Sequence, residues 1–367
     1  MGKKQKSVMN KYKNYPESLQ NGPLKDLGRK LVNEINKIDK SIYGDVIKTW
    51  VTYYIFKAKE NAFKKNEDPT KEILENFQKQ IEFVNSFRKL NLDLFFTNHI
   101  EDKSRKNLEE IENETGSHYG NLFKNFDEDK YFNEAKKLLQ IRLERNNIFP
   151  ENLSSKTVLD SGCGGGRYSV AWKQLGAKKV VGVDFSETGI KNAKQRLKSV
   201  DLDVDYKIED VVNLSFENDS FDIVFSNGVL HHTRDCKKGI QEIIRVLKKG
   251  GMGWLYLIEN PGGYFWDVIE ILRIIMKDVD NQLARESLKL LNVPTNRIFY
   301  ILDHIMVPIN LRLTHEEILK ILIEGGATNI QRLNRGADFD RIEKLHTNAP
   351  FAEIKYGVGE HRYVFSK

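Results

Sequence analysis

The run Val158-Leu159-Asp160 leads into the turn Ser161-Gly162-Cys163-Gly164-Gly165-Gly166, so an apolar strand ends in an acid and a glycine-rich loop that opens a helix. The first N–H groups of such a helix lack partners and carry a partial positive charge. A side chain at Gly162 or Gly164 would keep a ligand away from that backbone. The loop alone suits a dinucleotide, a nucleotide phosphate or another adenosine compound. A dinucleotide fingerprint needs a further glycine at 167 or 169, where the chain has Arg167 and Ser169, and no Gly-Lys-Ser/Thr follows for a phosphate loop. Asp160, just before the glycines, would repel a phosphate and suits a ligand bearing an ammonium group.

Downstream acids extend this chemistry. Asp184 ends the next apolar run, where a carboxylate can accept from both hydroxyls of a ribose, and Phe185 can lie against a base. Asp210 can take an adenine amino group while the Val211 backbone meets the ring. A fourth run ends in Asn227-Gly228-Val229-Leu230-His231-His232, and Gly250-Gly251 turns the chain into a fifth. The ligand with these features is S-adenosylmethionine.

Over residues 116–260 and again over 314–367, the chain resembles the class I S-adenosylmethionine-dependent methyltransferases. The resemblance implies a Rossmann-like, doubly wound seven-stranded α/β sheet with its last strand antiparallel. It also implies Asp160, Gly162 and Gly164 around the methionine end of the cofactor, Asp184 on the ribose, Asp210 at the adenine, and Asn227 near the methionine amine through its backbone. It does not reach residues 1–115 or 261–313, so the substrate is not inherited from it.

Methyl transfer from a sulfonium is a displacement with a good leaving group, so a protein chiefly aligns the nucleophile and excludes water. A base is needed only if the nucleophile must lose a proton. His231 and His232 are the candidates, because imidazole titrates near neutrality and they follow the fourth strand. His304, Tyr119 and Tyr131 are candidate substrate or cofactor contacts. Arg335, Asp338, Asp340 and Arg341 read as a surface ion-pair cluster, and residues 357–361 as a hairpin before the last strand.

The family's adenine amino methyltransferases carry an Asn/Asp-Pro-Pro-aromatic tetrad where this chain has Asn227-Gly228-Val229-Leu230, and neither Cys163 nor Cys236 has a proline before it, as pyrimidine C5 methylation would ask. A small-molecule acceptor, methylated on oxygen, nitrogen or carbon, is therefore the first expectation. An RNA or protein methyltransferase docking through the basic arm is the second, and a non-catalytic protein that keeps the cofactor fold is the third.

These residues need a frame. From residue 157 onward short apolar or β-branched runs (157–160, 179–184, 203–208, 221–226, 252–258) alternate with helical patterns at 187–198 and 235–247, which indicates a parallel sheet covered on both faces. Residues 264–313 look helical without a strand, forming a lid insertion at the edge where ligands enter. The rhythm resumes at 314–324, 328–333 and 362–365.

Upstream, Ile73, Phe77, Ile81 and Val84 recur at helical spacing, and Trp50, Tyr53, Tyr54 and Phe56 suggest an aromatic core stripe. The expected organisation is a basic mobile arm (1–40), a helical extension (41–115), the core (116–260 and 314–367) and the lid (261–313). The extension's apolar face asks for a partner, either the next domain or a second subunit.

The 367-residue chain carries a net charge of +6, and residues 1–30 alone hold eight basic and two acidic side chains, so the body is formally neutral and a nucleic-acid partner is disfavoured. Two cysteines exclude a disulfide framework or a four-cysteine zinc site and suit a reducing cytoplasm, and the eight scattered histidines mark no metal site. No signal-peptide pattern or uncharged apolar run of membrane-spanning length is visible.

Overall fold

The computed structural model describes residues 22–89 and 129–367. They fall into two compact units: an α/β unit (129–260, 307–347 and 359–367) and a helical unit (22–89, 261–306 and 348–358).

The α/β unit is built on seven strands: β1 Thr157–Ser161, β2 Lys179–Asp184, β3 Asp205–Ile208, β4 Phe221–Asn227, β5 Leu247–Leu257, β6 Thr328–Arg332 and β7 His361–Ser366. Their order is β3-β2-β1-β4-β5-β7-β6. The first five run parallel, and β7 lies antiparallel between β5 and β6. The central strands are apolar on both faces because helices cover both. Side chains alternate along each: Val158, Ile223, Phe225 and Trp254 enter one core with Trp172 and Leu139, whereas Leu159, Val224 and Leu255 enter the other with Ile240 and Ile243.

Local chemistry starts the covering helices where they are needed. Ser186 Oγ accepts from Gly189 N at 3.1 Å to cap Glu187–Leu197, Asp235 caps Cys236–Val246 through Lys238 N at 3.0 Å, and Thr314 and Glu317 cap His315–Glu324 reciprocally. β5 begins earlier than its apolar run suggests. Lys248, Lys249, Gly250 and Gly251 do not turn out of the sheet but form an irregularity between the pairs Phe221↔Leu247 and Ile223↔Met252.

In the helical unit, Ile73, Phe77, Ile81 and Val84 are the buried stripe of helix Thr70–Arg88, as their spacing implies. Gly22–Ile35 is a helix too, with Leu24, Leu31 and Ile35 buried and Arg29 and Lys30 exposed, so these residues of the basic arm expected over 1–40 form a packed helix, and residues 1–21 lie outside the described ones. The aromatic group of helix Ile42–Lys64 is not one stripe. Phe56 is buried and Tyr54 is 45% exposed, because two residues apart on a helix means nearly opposite faces.

Helix Gly263–Met276 is apolar nearly all round and lies at the centre of this unit, with Phe265, Val268, Ile269, Ile271 and Leu272 buried. The extension and the insertion are therefore one body: Trp50 Nε1 donates to the Ser287 carbonyl at 3.3 Å, Arg297 pairs with Glu60, and the buried Lys355 ammonium donates to the Phe63 and Lys65 carbonyls at 3.2 and 2.9 Å. The apolar face that suggested a second subunit finds its cover within the chain. Among the described residues no helix is long and apolar enough to cross a membrane.

The charged C-terminal cluster is a surface feature only in part: Asp338 is exposed and pairs with Arg145, whereas Asp340 is buried. Arg142 forks onto Asp340 at 2.8 and 2.9 Å, Arg362 reaches Asp340 at 3.2 Å, and Ala337 N donates to it at 2.8 Å. Glu360 lies just before β7, where a hairpin was expected, and accepts from the N–H groups of Arg341 and Ile342 at 3.0 and 2.7 Å, which starts the short helix Arg341–His346. Asp340, Glu360 and Arg362 are all buried. Burial opposes ionisation of Asp340, but the Arg142 hydrogen bonds and the charges of Arg362 and Arg142 outweigh it and hold the carboxyl at about 2. That folded value lies below the unfolded one, so the pair stabilises the fold above about pH 4 and the contribution is lost as pH falls toward 2. Asp340→Asn, which takes the carboxylate from the buried Arg142 guanidinium and leaves Arg362 with Glu360 at 3.8 Å, is expected to destabilise by roughly 3–5 kcal/mol in urea unfolding at neutral pH. A loss under about 1 kcal/mol would show the network to be dispensable.

Candidate cofactor cleft and active site

Parallel pairing sets the ends of β1, β2 and β4 side by side, with Asp160 level with Gly182 and Phe225. The strand order reverses between β1 and β4, which opens a crevice at the carboxyl edge of an α/β sheet. Asp160, Gly162, Gly164, Asp184, Phe185, Asp210, Val211, Asn227 and His232 all line one cleft there.

The glycine loop is held by its own backbone and by both neighbouring strands. Gly162 N and Cys163 N each donate to the Val183 carbonyl at 2.8 Å, and Gly164 N donates to Asp184 Oδ2 at 2.7 Å. Gly162 has φ +84°, and a Cβ there would stand 2.2 Å from Cγ1 of Val229. The fold itself demands this glycine, before any ligand does.

Asp160 is 2% exposed and accepts from Ser169 Oγ at 2.6 Å. Burial, with the nearby Asp184 charge, pushes its carboxyl up to about 7 against the Ser169 bond. Asp184 also accepts from Ser186 N at 2.8 Å, yet burial still raises its pKa. Each Asp184 oxygen retains a lone pair for a ribose hydroxyl. Among the described residues neither carboxylate has an ion-pair partner, whereas the buried carboxylates of the C-terminal cluster all do. Two close, uncompensated carboxyls are a donor set that fits a cationic ligand with vicinal hydroxyls, and so fit S-adenosylmethionine. Asn227 accepts from Trp254 Nε1 at 3.2 Å, which fixes its side chain at the end of β4.

The histidine pair divides. His231 is buried, its Nδ1 has no hydrogen-bond partner, and burial, helped by the charges of His232 and Arg341, drives its pKa well below the usual value. It does not line the cleft and cannot collect a proton there, contrary to the expectation that either ring could serve. His232 lines the cleft with Nδ1 2.7 Å from the Ile309 carbonyl. A carbonyl only accepts, so Nδ1 carries a proton, and Nε2 is the ring's other nitrogen.

The other candidates do not join them. Tyr131 is fully buried and is absent from the cleft lining; its hydroxyl donates to the Gly165 carbonyl, and Tyr206 Oη donates to the Gly166 carbonyl at 3.1 Å. The two phenols brace the loop. His304 belongs to the helical unit, where it packs against Phe56, Phe265 and Tyr300, and its Nδ1 lies 2.9 Å from the Tyr300 carbonyl. Tyr119 lies outside the described residues.

Sequence reasoning missed Arg167, Tyr168, Thr233 and Arg234 in the lining. The first two open the helix after the glycine turn and the last two follow the histidine pair, so adjacency to a motif was the available signal. Among the described residues no cluster of three or more metal-ligating side chains occurs.

Removing the Tyr131 hydroxyl takes a donor from the Gly165 carbonyl, whereas the Gly166 carbonyl keeps the Val170 N–H at 3.0 Å when the Tyr206 hydroxyl is removed. Tyr131→Phe is expected to destabilise by about 1–3 kcal/mol in urea unfolding and Tyr206→Phe by about 0.5–1.5 kcal/mol; a Tyr131→Phe loss within about 0.5 kcal/mol would mean that the loop holds itself.

Residues 159–255 match the methyltransferase domain family. Over 152 residues the chain is 36% identical to the ubiquinone biosynthesis O-methyltransferase of Nitrosomonas europaea, covering 39% of this chain and 63% of that protein. Over 118 residues it is 37% identical to the protein of that name from Coxiella burnetii, covering 32% and 50%. The chain thus spans between half and just under two thirds of the length of these curated relatives. A methyltransferase solved in complex with a Haloferax volcanii methyltransferase activator is 20% identical, with a TM-score of 0.43 over 69% of this chain and 97% of that one. With its seven-stranded sheet, glycine loop and ordered strand-end acids, the chain carries a class I S-adenosylmethionine-dependent methyltransferase domain.

Proposed function

We propose that this protein transfers a methyl group from S-adenosylmethionine to a hydroxyl of a small-molecule acceptor. The observation that carries the reading is the pair of unpaired carboxyls, Asp160 and Asp184, at the switch point of the sheet. The relatives named O-methyltransferases support oxygen as the accepting atom, in agreement with one oriented imidazole in the cleft.

Bound there, S-adenosylmethionine would supply a methyl group on a positively charged sulfur. The chain's own residues supply the rest. Asp160 and the turn at Gly162 and Gly164 would hold the amino-acid end, Asp184 the ribose, and Phe185, Asp210 and Val211 the base. The Ile309 carbonyl keeps the proton on Nδ1 of His232, so Nε2 is the nitrogen that would accept the proton of an acceptor hydroxyl.

Calorimetric titration with S-adenosylmethionine and S-adenosylhomocysteine tests the cofactor assignment. Micromolar binding is expected, with a loss of about 1–3 kcal/mol in Asp184→Ala; no binding to the folded protein would end the reading. Asp160 must be ionised to attract the ligand's ammonium group. Affinity should therefore fall as pH drops below about 7 and level off above it, and Asp160→Asn should bind weakly with no such slope. A flat wild-type profile from pH 6 to 8 would remove Asp160 from recognition.

Across hydroxylated aromatic acceptors, His232→Ala should lower kcat by roughly 10²–10⁴-fold while leaving S-adenosylhomocysteine affinity within about twofold. Unchanged kcat would show that the acceptor reacts without a base.

A further inference from the structure

Phe185 is 40% exposed although it lies in the cleft, which leaves a flat apolar face turned to whatever enters. Across the sheet edge, the loop after the histidine pair brings Arg234 into the same cleft, where it pairs with Asp210 Oδ2. Asp210 Oδ1 accepts from Val212 N at 3.0 Å, so the carboxylate is fixed to its own loop and the guanidinium is tethered to it. An arginine on the surface would sample many rotamers, and this tether removes much of that freedom. A guanidinium is planar and weakly hydrated, and it stacks on aromatic faces. A carboxylate has about four lone-pair positions, so Asp210 can hold Arg234 and Val212 N and still accept from an amino group.

Resting on the cofactor reading above, we propose that Arg234 is a base-recognition residue: tethered by Asp210, it presents its guanidinium plane to the adenine in the cleft that Phe185 also lines. The ion pair is then part of the binding site and not an isolated surface bridge. Its value lies in placing a flat cation where a flat base must rest.

The test is the affinity of S-adenosylhomocysteine for wild type, Arg234→Ala, Arg234→Lys and Asp210→Asn, each checked for folding by thermal unfolding. Arg234→Ala should bind roughly tenfold more weakly. Arg234→Lys should recover less than half of that loss on a logarithmic scale, because it keeps the charge and loses the plane. Asp210→Asn should weaken binding too, and the double variant should lose less than the sum of the single losses, since both act through one tether. Binding by Arg234→Ala within about twofold of wild type would overturn the proposal. Tighter binding would also overturn it, by showing that the pair is a plug the base must displace. Full recovery in Arg234→Lys would reduce the role to charge alone and would overturn stacking. If wild type binds no S-adenosylhomocysteine, the cofactor reading itself falls, a result distinct from all of these.

Discussion

The hydrogen bond from Gly164 N to Asp184 Oδ2, at 2.7 Å, ties the glycine loop after β1 to the end of β2. The Val183 carbonyl, one residue earlier, accepts from Gly162 N and Cys163 N. Three N–H groups of the loop are thus satisfied by the last two residues of a single neighbouring strand. The backbone can then follow a path with positive φ at Gly162, Gly164 and Gly166, which side chains would oppose. Tyr131 and Tyr206 donate to the Gly165 and Gly166 carbonyls from within the core, so donors and acceptors of the loop's backbone are both engaged. The cleft has its shape before any ligand arrives, and little ordering remains to be done on binding.

The same unit treats two buried aspartates in opposite ways, and the contrast separates structural from functional charge. Asp340 is surrounded by Arg142 and Arg362 and is held at about 2. Asp160, equally buried, has only Ser169 as a donor and a second carboxyl nearby, and it stands at about 7. Burial penalises both; the difference lies in the compensating charge. A fold that supplies guanidiniums to Asp340, Glu259 and Glu360 supplies none to Asp160 and Asp184. Around Asp160 and Asp184 the cleft keeps a deficit of positive charge that a cationic ligand can fill.

Much of this is legible in the sequence because each feature is a local pattern. The glycine turn, the acids at strand ends and the alternation of strand and helix depend on residues close in the chain, and all eight expected cofactor positions share one cleft. What failed to show were features made by distant residues. Nothing near His231 announces that it is buried while His232 meets a carbonyl 77 residues away. Arg142 and Asp340 are nearly 200 positions apart, so their pairing reads as two ordinary surface charges. Tyr131 had the right neighbourhood and the wrong role: its distance from the loop in sequence hid a hydrogen bond to Gly165. The single stripe expected from Trp50, Tyr53, Tyr54 and Phe56 failed on angle alone, since residues 54 and 56 point to different sides of their helix.

The helical unit follows from where the chain leaves the sheet. It departs after Asn260, whose N–H donates to the Leu313 carbonyl at 3.0 Å, departs again after Thr347, and returns at Gly359, two residues from the pair Leu257↔His361. Inside the α/β unit, the first departure and the last return adjoin the β5–β7 ladder, and Glu259 bridges to Leu313 where the chain comes back from the first excursion. Inserting residues between ends already held together costs little closure entropy, because that cost grows only slowly with length. The excursions can then build a core of their own, around helix Gly263–Met276, without altering any strand that carries Asp160, Asp184 or Asn227. The family match ends at residue 255, just before the first departure. Recognition of the cofactor half therefore stops where the sheet stops dictating the sequence, and the residues beyond answer to the packing of a different core.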